Sequence, residues 1–339
     1  MYKHYGYCPA CAHAAQFEMQ GTWLRDQYVC LRCGSIPRER ALMHVLERVC
    51  PSWRHARIHE SSPGMRGTSL RLARECVCYI GSQYFPSVPR GQMHQGWRCE
   101  DLEALSFADD SVDIHVTQDV LEHIFDPERA FAEIARTLAP GGLHVFTTPL
   151  VNKAKPSERC ARLRSDGSIE HLRSPEYHGN PVSTDGSLVT MHWGFDICEF
   201  VHRACGLFTA IHEIDAHELG IHAEFIEVMV TRKPGVLAVA SPAVQEALIY
   251  GAGAGGRNAR PRLADTWKIV GFVDSDPRKQ GGAVDGLPVL PPSALLERKH
   301  ATVFVASVHA AEIELHLHRL GVAAERVRVL PVGFIEGRS

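Results

Sequence analysis

Apolar and polar positions along this chain follow two rhythms, and the clearest passage from one to the other lies between Asp109 and Pro149. Val112 to Thr117 reads as a buried strand, followed by a loop that carries Gln118 and Asp119. Next, Ala130, Phe131, Ile134 and Leu138 recur at the 3.6-residue period and fall on one stripe of an amphipathic helix. Pro140-Gly141-Gly142 predicts the end of that helix and a reversal of the chain, after which an apolar strand resumes. Strand and helix keep alternating from about Pro51 to Lys233, with Val228 to Thr231 as the last strand. This order predicts a doubly wound parallel sheet.

Two shorter units flank that stretch. Before it, Ser35 to Arg40 opens a helix through Val49, with Pro37 placed early, where a helix tolerates its missing N–H. After it, residues 234–246 are rich in small residues and read as a linker. A second α/β unit begins at Ala247: a strand to Tyr250, a glycine-rich turn from Gly251 to Gly256, a strand from Ile269 to Val273, and a third from Val303 to Ser307. The expected organisation is therefore 1–50, 51–233, a linker over 234–246, and 247–339.

Composition narrows the class without naming it. The 339 residues are 45% hydrophobic and 22% charged, as in an ordinary globular protein. A formal charge of −3 and the lack of a basic stripe speak against a nucleic-acid partner. No apolar run approaches the ~20 residues that cross a bilayer, and the N-terminal residues lack a signal-peptide core. A soluble, cytoplasmic protein is expected.

Four of the eleven cysteines carry the strongest local signal. Cys8-Pro9-Ala10-Cys11 and Cys30-Leu31-Arg32-Cys33 are two C-x-x-C knuckles, each able to place two thiolates on one side of a tetrahedral ion. Together they would close a four-cysteine Zn2+ site with no open position, which marks a structural rather than a catalytic metal. Neither knuckle sits at the strand–helix junction that a redox C-x-x-C requires. The other seven cysteines are scattered and expected to be reduced.

The Asp109–Pro149 block, with Asp119-Val120-Leu121-Glu122-His123 after its first strand, resembles class I S-adenosylmethionine (SAM)-dependent methyltransferases. The resemblance implies a Rossmann-like methyltransferase sheet with SAM held at the carboxyl ends of its strands. It places Glu60 at the methionine end of the cofactor. Ser62 and Gly64 fall where the family carries two glycines. The acid usual after the second strand is missing, and Ser82 and Gln83 stand there as neutral partners for the ribose. By the same resemblance Asp101, with Leu102 after it, takes the adenine amino group, while Gln118 and Asp119 lie beside the cofactor.

Beyond Pro149 the chain turns irregular and rich in His, Gly and Pro, where the fold commonly covers its acceptor. His178 or His192 is the candidate general base, since an ordinary imidazole titrates near neutrality. Tyr177 and Trp193 are candidates to stack on a ring. In the last unit Gly251, Gly253 and Gly256 form G-x-G-x-x-G after a strand, and Asp274 follows the next strand, a pattern for a second nucleotide site. Pro261 is expected to interrupt the helix behind those glycines. A zinc ribbon, a methyltransferase and a Rossmann-like tail in this order are similar to the sugar C-methyltransferases. That resemblance implies a small-molecule or glycan acceptor, a nucleotide-sugar among the candidates, and leaves a homo-oligomer open. The family's Glu-His substrate motif has Met191-His192 as its nearest counterpart, so carbon, oxygen and nitrogen acceptors all stay open. The alternative is a methyltransferase fold that has lost catalysis and serves as a scaffold in glycan assembly.

Overall fold

Strands buried on both faces need a helical layer on each side, and the order of apolar segments supplies both. The computed structural model describes residues 3–180, 183–237, 246–264 and 267–330. Its contacts divide the chain into two units, Met1–Gln92 with Arg98–Ala240, and Met93–Trp97 with Ser241–Ser339. Of the expected linker, residues 238–245 lie outside the described residues. No helix among the described residues is long and apolar enough to cross a membrane.

In the first unit the large sheet runs Phe208–His212, Val228–Arg232, Leu138–Thr147, Val112–Gln118, Arg57–Ser61, Cys78–Gln83 and Trp97–Cys99 in hydrogen-bonded order. Arg57–Ser61 pairs in parallel with both Cys78–Gln83 and Val112–Gln118. Chain order reverses there, so a crevice opens at Ser61 and Gln118, where a doubly wound sheet binds its ligand. Val228–Arg232 runs antiparallel to both of its neighbours. The doubly wound α/β expectation is met.

Helix Pro37–Val49 covers one face. Its Ala41, Leu42, Val45 and Leu46 share a buried cluster with Ile58, Ile114, Val116, Leu143 and Val145 of the strands. The other face is covered by helices Pro127–Thr137 and Ile197–Cys205, through Phe131, Phe146, Trp193, Ile197 and Val201. Asp126 caps the former by accepting from the Arg129 N–H.

That helix ends at Thr137, three residues before the expected stop. The ammonium of Lys233 donates to the carbonyl oxygens of Ala135 and Leu138 at 2.9 and 2.6 Å and takes over the C-terminal cap. Pro140-Gly141-Gly142 is then a bulge inside the Leu138–Thr147 strand, where register slips from Val112↔Leu138 to Ile114↔Leu143. Leu138 still completes the helix stripe, buried with Ala130 and Ile134.

Three histidines stand side by side on the central strands, in the register His59↔His115↔His144. All three are buried. The Thr137 hydroxyl donates to the Glu133 carbonyl at 2.9 Å, so it accepts from His115 Nε2 at 2.8 Å. A neutral ring carries one N–H. His115 Nδ1 therefore accepts from His59 Nδ1 at 2.9 Å, and His59 Nε2 accepts from the Ser82 hydroxyl at 2.8 Å. Burial depresses His59 and His144 to about 3 and pushes His115 down as well.

The second unit carries its own parallel strands, Glu246–Tyr250 between Lys268–Val273 and Thr302–Val305. Helix Ala254–Leu263 runs through Pro261, contrary to expectation. Pro261 falls in the last turn, so the helix loses one late hydrogen bond and its first turn is untouched.

Candidate active site

The loop after Arg57–Ser61 is tied from below by one carboxylate. Glu60 is fully buried and its oxygens accept from Ser69 Oγ at 2.6 Å, Tyr79 OH at 2.7 Å and Gln118 Nε2 at 2.7 Å. Burial raises its carboxyl above the usual range, and these three donors partly offset the rise. The Ser69 hydroxyl in turn accepts from the Gly64 N–H at 3.1 Å, so the acid fixes the loop through helix Gly67–Glu75. Ser62 holds φ +52°, a left-handed conformation that glycine adopts without strain.

Gln118 is the residue left with an open valence. Its Nε2 is committed to Glu60, which turns Oε1 the other way, and Oε1 is buried without a partner. An orphaned buried acceptor at the switch point calls for a donor. Asp101 forms a turn by accepting from the Glu103 N–H at 2.9 Å, with Leu102 buried behind it. Gln83 is buried at the end of its strand. Ser82 departs from expectation: its hydroxyl points into the sheet and serves His59, so it faces no ribose.

The cysteine unit is built from strands Lys3–Cys8, His13–Met19 and Tyr28–Cys30. The sulfurs of Cys8, Cys11, Cys30 and Cys33 all lie within 4.8 Å of one another, and those of Cys8 and Cys33 are 3.8 Å apart. Tetrahedral zinc with bonds of about 2.3 Å sets its sulfurs about 3.8 Å apart. The eleven cysteines are all free thiols.

This unit also grips the loop after Arg57–Ser61. The Gly67 N–H donates to the Cys33 carbonyl at 3.2 Å, and Arg66 Nε to Glu39 Oε1 at 2.8 Å. Gly67 has φ +52°, and a Cβ there would sit 2.4 Å from Glu39 Oε2 and 2.8 Å from Ser35 Cβ, so only glycine fits. Arg71, on the same helix, donates to the Pro9 carbonyl inside the first knuckle. Asp119 closes the circle. Burial alone would raise its carboxyl, but the guanidiniums of Arg25 and Arg38, at 2.6 and 2.7 Å, hold it at about 2. The Thr147 hydroxyl donates to its other oxygen at 2.9 Å. Asp119, expected beside the cofactor, is thus an anchor for the cysteine unit.

Glu176 joins the two candidate bases: its oxygens lie 3.3 Å from His178 Nε2 and 3.1 Å from His192 Nε2. His192 and Glu176 line a cavity of about 280 Å³ with Cys160, Arg173 and Ser174. Tyr177 is exposed, whereas Trp193 is fully buried against Phe131 and Phe200 and cannot stack on a ligand. Sequence reasoning overlooked Glu122. Its side chain is buried, accepts from the Thr148 hydroxyl at 2.9 Å, and leaves Oε1 unpartnered. Burial, with the Asp119 charge, raises it to about 7. The Leu-Glu-His step was visible in the chain, yet nothing local said which way Glu122 points.

In the second unit the glycine turn has the form its spacing predicts. Gly251 has φ +111°, and a Cβ on Gly256 would lie 1.9 Å from the Gly251 carbonyl oxygen. Gly253 caps the helix and faces open space. Asp274 Oδ2 accepts from the Ala252 N–H and from Lys279 Nζ, both at 2.9 Å. Gly251, Gly253, Asp274 and Lys279 border a cavity of about 570 Å³ that also meets Ser307, His309 and His316.

Residues 72–146 match a family model described as a methyltransferase domain, and residues 244–328 match one described as C2185-like, N-terminal. No curated protein matches the chain. Among solved structures, a SAM-dependent methyltransferase from Mesorhizobium loti is 18% identical, covering 57% of this chain and 98% of that one, with a TM-score of 0.38. A putative SAM-dependent methyltransferase from Listeria monocytogenes is 12% identical, with 57% and 97% covered and a TM-score of 0.38. Burkholderia thailandensis 1,6-didemethyltoxoflavin-N1-methyltransferase is 15% identical, with 58% and 78% covered and a TM-score of 0.35. The mixed sheet and the matched segment together are those of a Rossmann-like methyltransferase fold.

Proposed function

We propose that this chain is a SAM-dependent methyltransferase acting on a sugar, nucleotide-sugar or glycan precursor, with a structural Zn2+ held by Cys8, Cys11, Cys30 and Cys33. The observation that carries the cofactor reading is the buried, unpartnered Oε1 of Gln118 at the switch point. It fits the ammonium of the methionine end, and Glu60 fixes the amide so that oxygen, not nitrogen, faces the crevice. Bound SAM supplies a methyl group on a positively charged sulfur, open to in-line attack. In this reading Ser62 and Gly64 shape the loop beneath it, Gln83 meets the ribose and Asp101 the adenine amino group. His192, oriented by Glu176, takes the proton from the acceptor, and His178 on the same carboxylate is the alternative base. The exposed Tyr177 and the cavity lined by Gly251, Gly253 and Asp274, with Gly256 packed against the turn, support a sugar or nucleotide-sugar acceptor.

Calorimetry with SAM is the deciding experiment. Binding is expected for the native chain and should weaken at least tenfold in Gln118→Leu. No binding at millimolar SAM would end the enzyme reading and leave a scaffold, an outcome favoured by one feature: Glu60 already has its three donors within the protein. Mass spectrometry of a nucleotide-sugar panel, looking for a gain of one methyl, then identifies the acceptor. His192→Ala should lower turnover without changing SAM affinity. Elemental analysis of untreated protein tests the metal, and absence of zinc would refute it.

A further inference from the structure

Glu122, His123 and His178 bring one ligand atom each within 4.8 Å of the other two. Glu122 Oε1 lies 3.8 Å from His123 Nε2 and 4.0 Å from His178 Nδ1. Each outer atom of the three is held by a different group. Thr148 holds the second oxygen of Glu122, the Leu188 carbonyl holds His123 Nδ1 at 2.9 Å, and Glu176 holds His178 Nε2. A carbonyl and a carboxylate accept only N–H, so both outer nitrogens are protonated and both inner ones carry a lone pair in the neutral ring. Three lone-pair atoms thus converge, and the carboxylate oxygen among them is buried with no hydrogen bond. No arrangement of protons on neutral histidines supplies a donor to that oxygen. A cation does.

We propose that Glu122, His123 and His178 form a second metal site, for a divalent first-row transition ion. Two imidazoles and one carboxylate suit Mn2+, Fe2+, Co2+ or Zn2+ better than the all-oxygen preference of Mg2+ and Ca2+. At bonds of about 2.1 Å, tetrahedral ligands stand about 3.4 Å apart, so the observed separations need to close by about half an ångström. The outer partners are those that metal-bound histidines and carboxylates use to fix their tautomer and direction. Three protein ligands leave positions open for water or for oxygens of an acceptor. The site differs from the four-cysteine cluster, which is closed. It rests on geometry alone and does not depend on the methyl-transfer reading.

Mn2+ distinguishes the two sites, because a hard ion avoids a tetrathiolate. Titrating the full chain with Mn2+ and following the free-ion signal by electron paramagnetic resonance should show one saturable equivalent. Glu122→Gln and His178→Ala should each weaken it at least tenfold. Asp215→Asn should leave it unchanged, although Asp215, His217 and His222 form another, exposed cluster. His178 lies on a surface strand, so its variant keeps the test open if the buried Glu122→Gln fails to fold. Absence of a saturable site in the native chain would overturn the proposal. So would undiminished Mn2+ binding by a folded His178→Ala protein.

Discussion

Acidification from pH 7 to 5 should weaken this protein through the ladder of His59, His115 and His144. In the unfolded chain each ring titrates near 6.5, whereas burial holds His59 and His144 at about 3 when folded. A folded value below the unfolded one means full stability above pH 6.5 and progressive loss as the pH falls toward 3. In that window the unfolded chain binds one more proton per ring, so stability drops by about 1.4 kcal/mol per pH unit for each. At pH 5 the two rings together should have removed about 4 kcal/mol, and His115 adds in the same direction. That is a large share of the 5–15 kcal/mol typical of a domain. The geometry blocks an easy escape, since His59 and His115 already share one proton between facing Nδ1 atoms 2.9 Å apart. A second proton there would set two cations in contact.

Urea unfolding followed by tryptophan fluorescence at pH 7, 6 and 5 gives the slope. Thiolate metal sites also weaken in acid, so the informative quantity is a difference between proteins. His144→Asn removes one titrating ring and leaves the cysteine unit alone. Its stability should fall with pH about 1.4 kcal/mol per unit less steeply than that of the native chain. Identical slopes would show that His144 is not held neutral, and the reasoning about the ladder would fail with it.

Three further outcomes follow from the contacts around the loop after Arg57–Ser61. Cys30→Ser should lose the zinc and, through the Cys33–Gly67 and Glu39–Arg66 contacts, lower SAM affinity more than tenfold; elemental analysis and calorimetry check both. Unchanged affinity would uncouple the knuckles from the loop. Asp119→Asn removes the buried carboxylate between Arg25 and Arg38, leaves them only the half-exposed Asp26, and should destabilise by about 3 kcal/mol in urea unfolding. Ser62→Gly relieves a left-handed backbone and should raise the urea midpoint, by about 1 kcal/mol of stability.

What could be read from the chain divides by the distance over which residues act on one another. Strand and helix periods are local patterns and the α/β order they predict is present; the four cysteine sulfurs lie close together, and Gly251 holds a positive φ at the glycine turn. The end of helix Pro127–Thr137 differs from the expected one because its cap, Lys233, lies far along the chain, just after the strand that pairs with Leu138–Thr147. Trp193 is a candidate stacking ring from its place in the irregular His-, Gly- and Pro-rich stretch, yet Phe131 and Phe200 enclose it. Ser82 faces His59 rather than a ligand for a similar reason: which side of a strand meets solvent is set by the neighbouring strands. The deepest gap concerns Asp119. Its place after strand Val112–Gln118 was legible, but its partners Arg25 and Arg38 lie 94 and 81 residues earlier, in and just after the cysteine unit. Those two ion pairs, with the Gly67–Cys33 bond, join knuckle, loop and switch point into one body. Whatever orders the four cysteines can then decide whether the crevice at Ser61 and Gln118 keeps its shape, and that follows from the fold of the chain rather than from any motif within it.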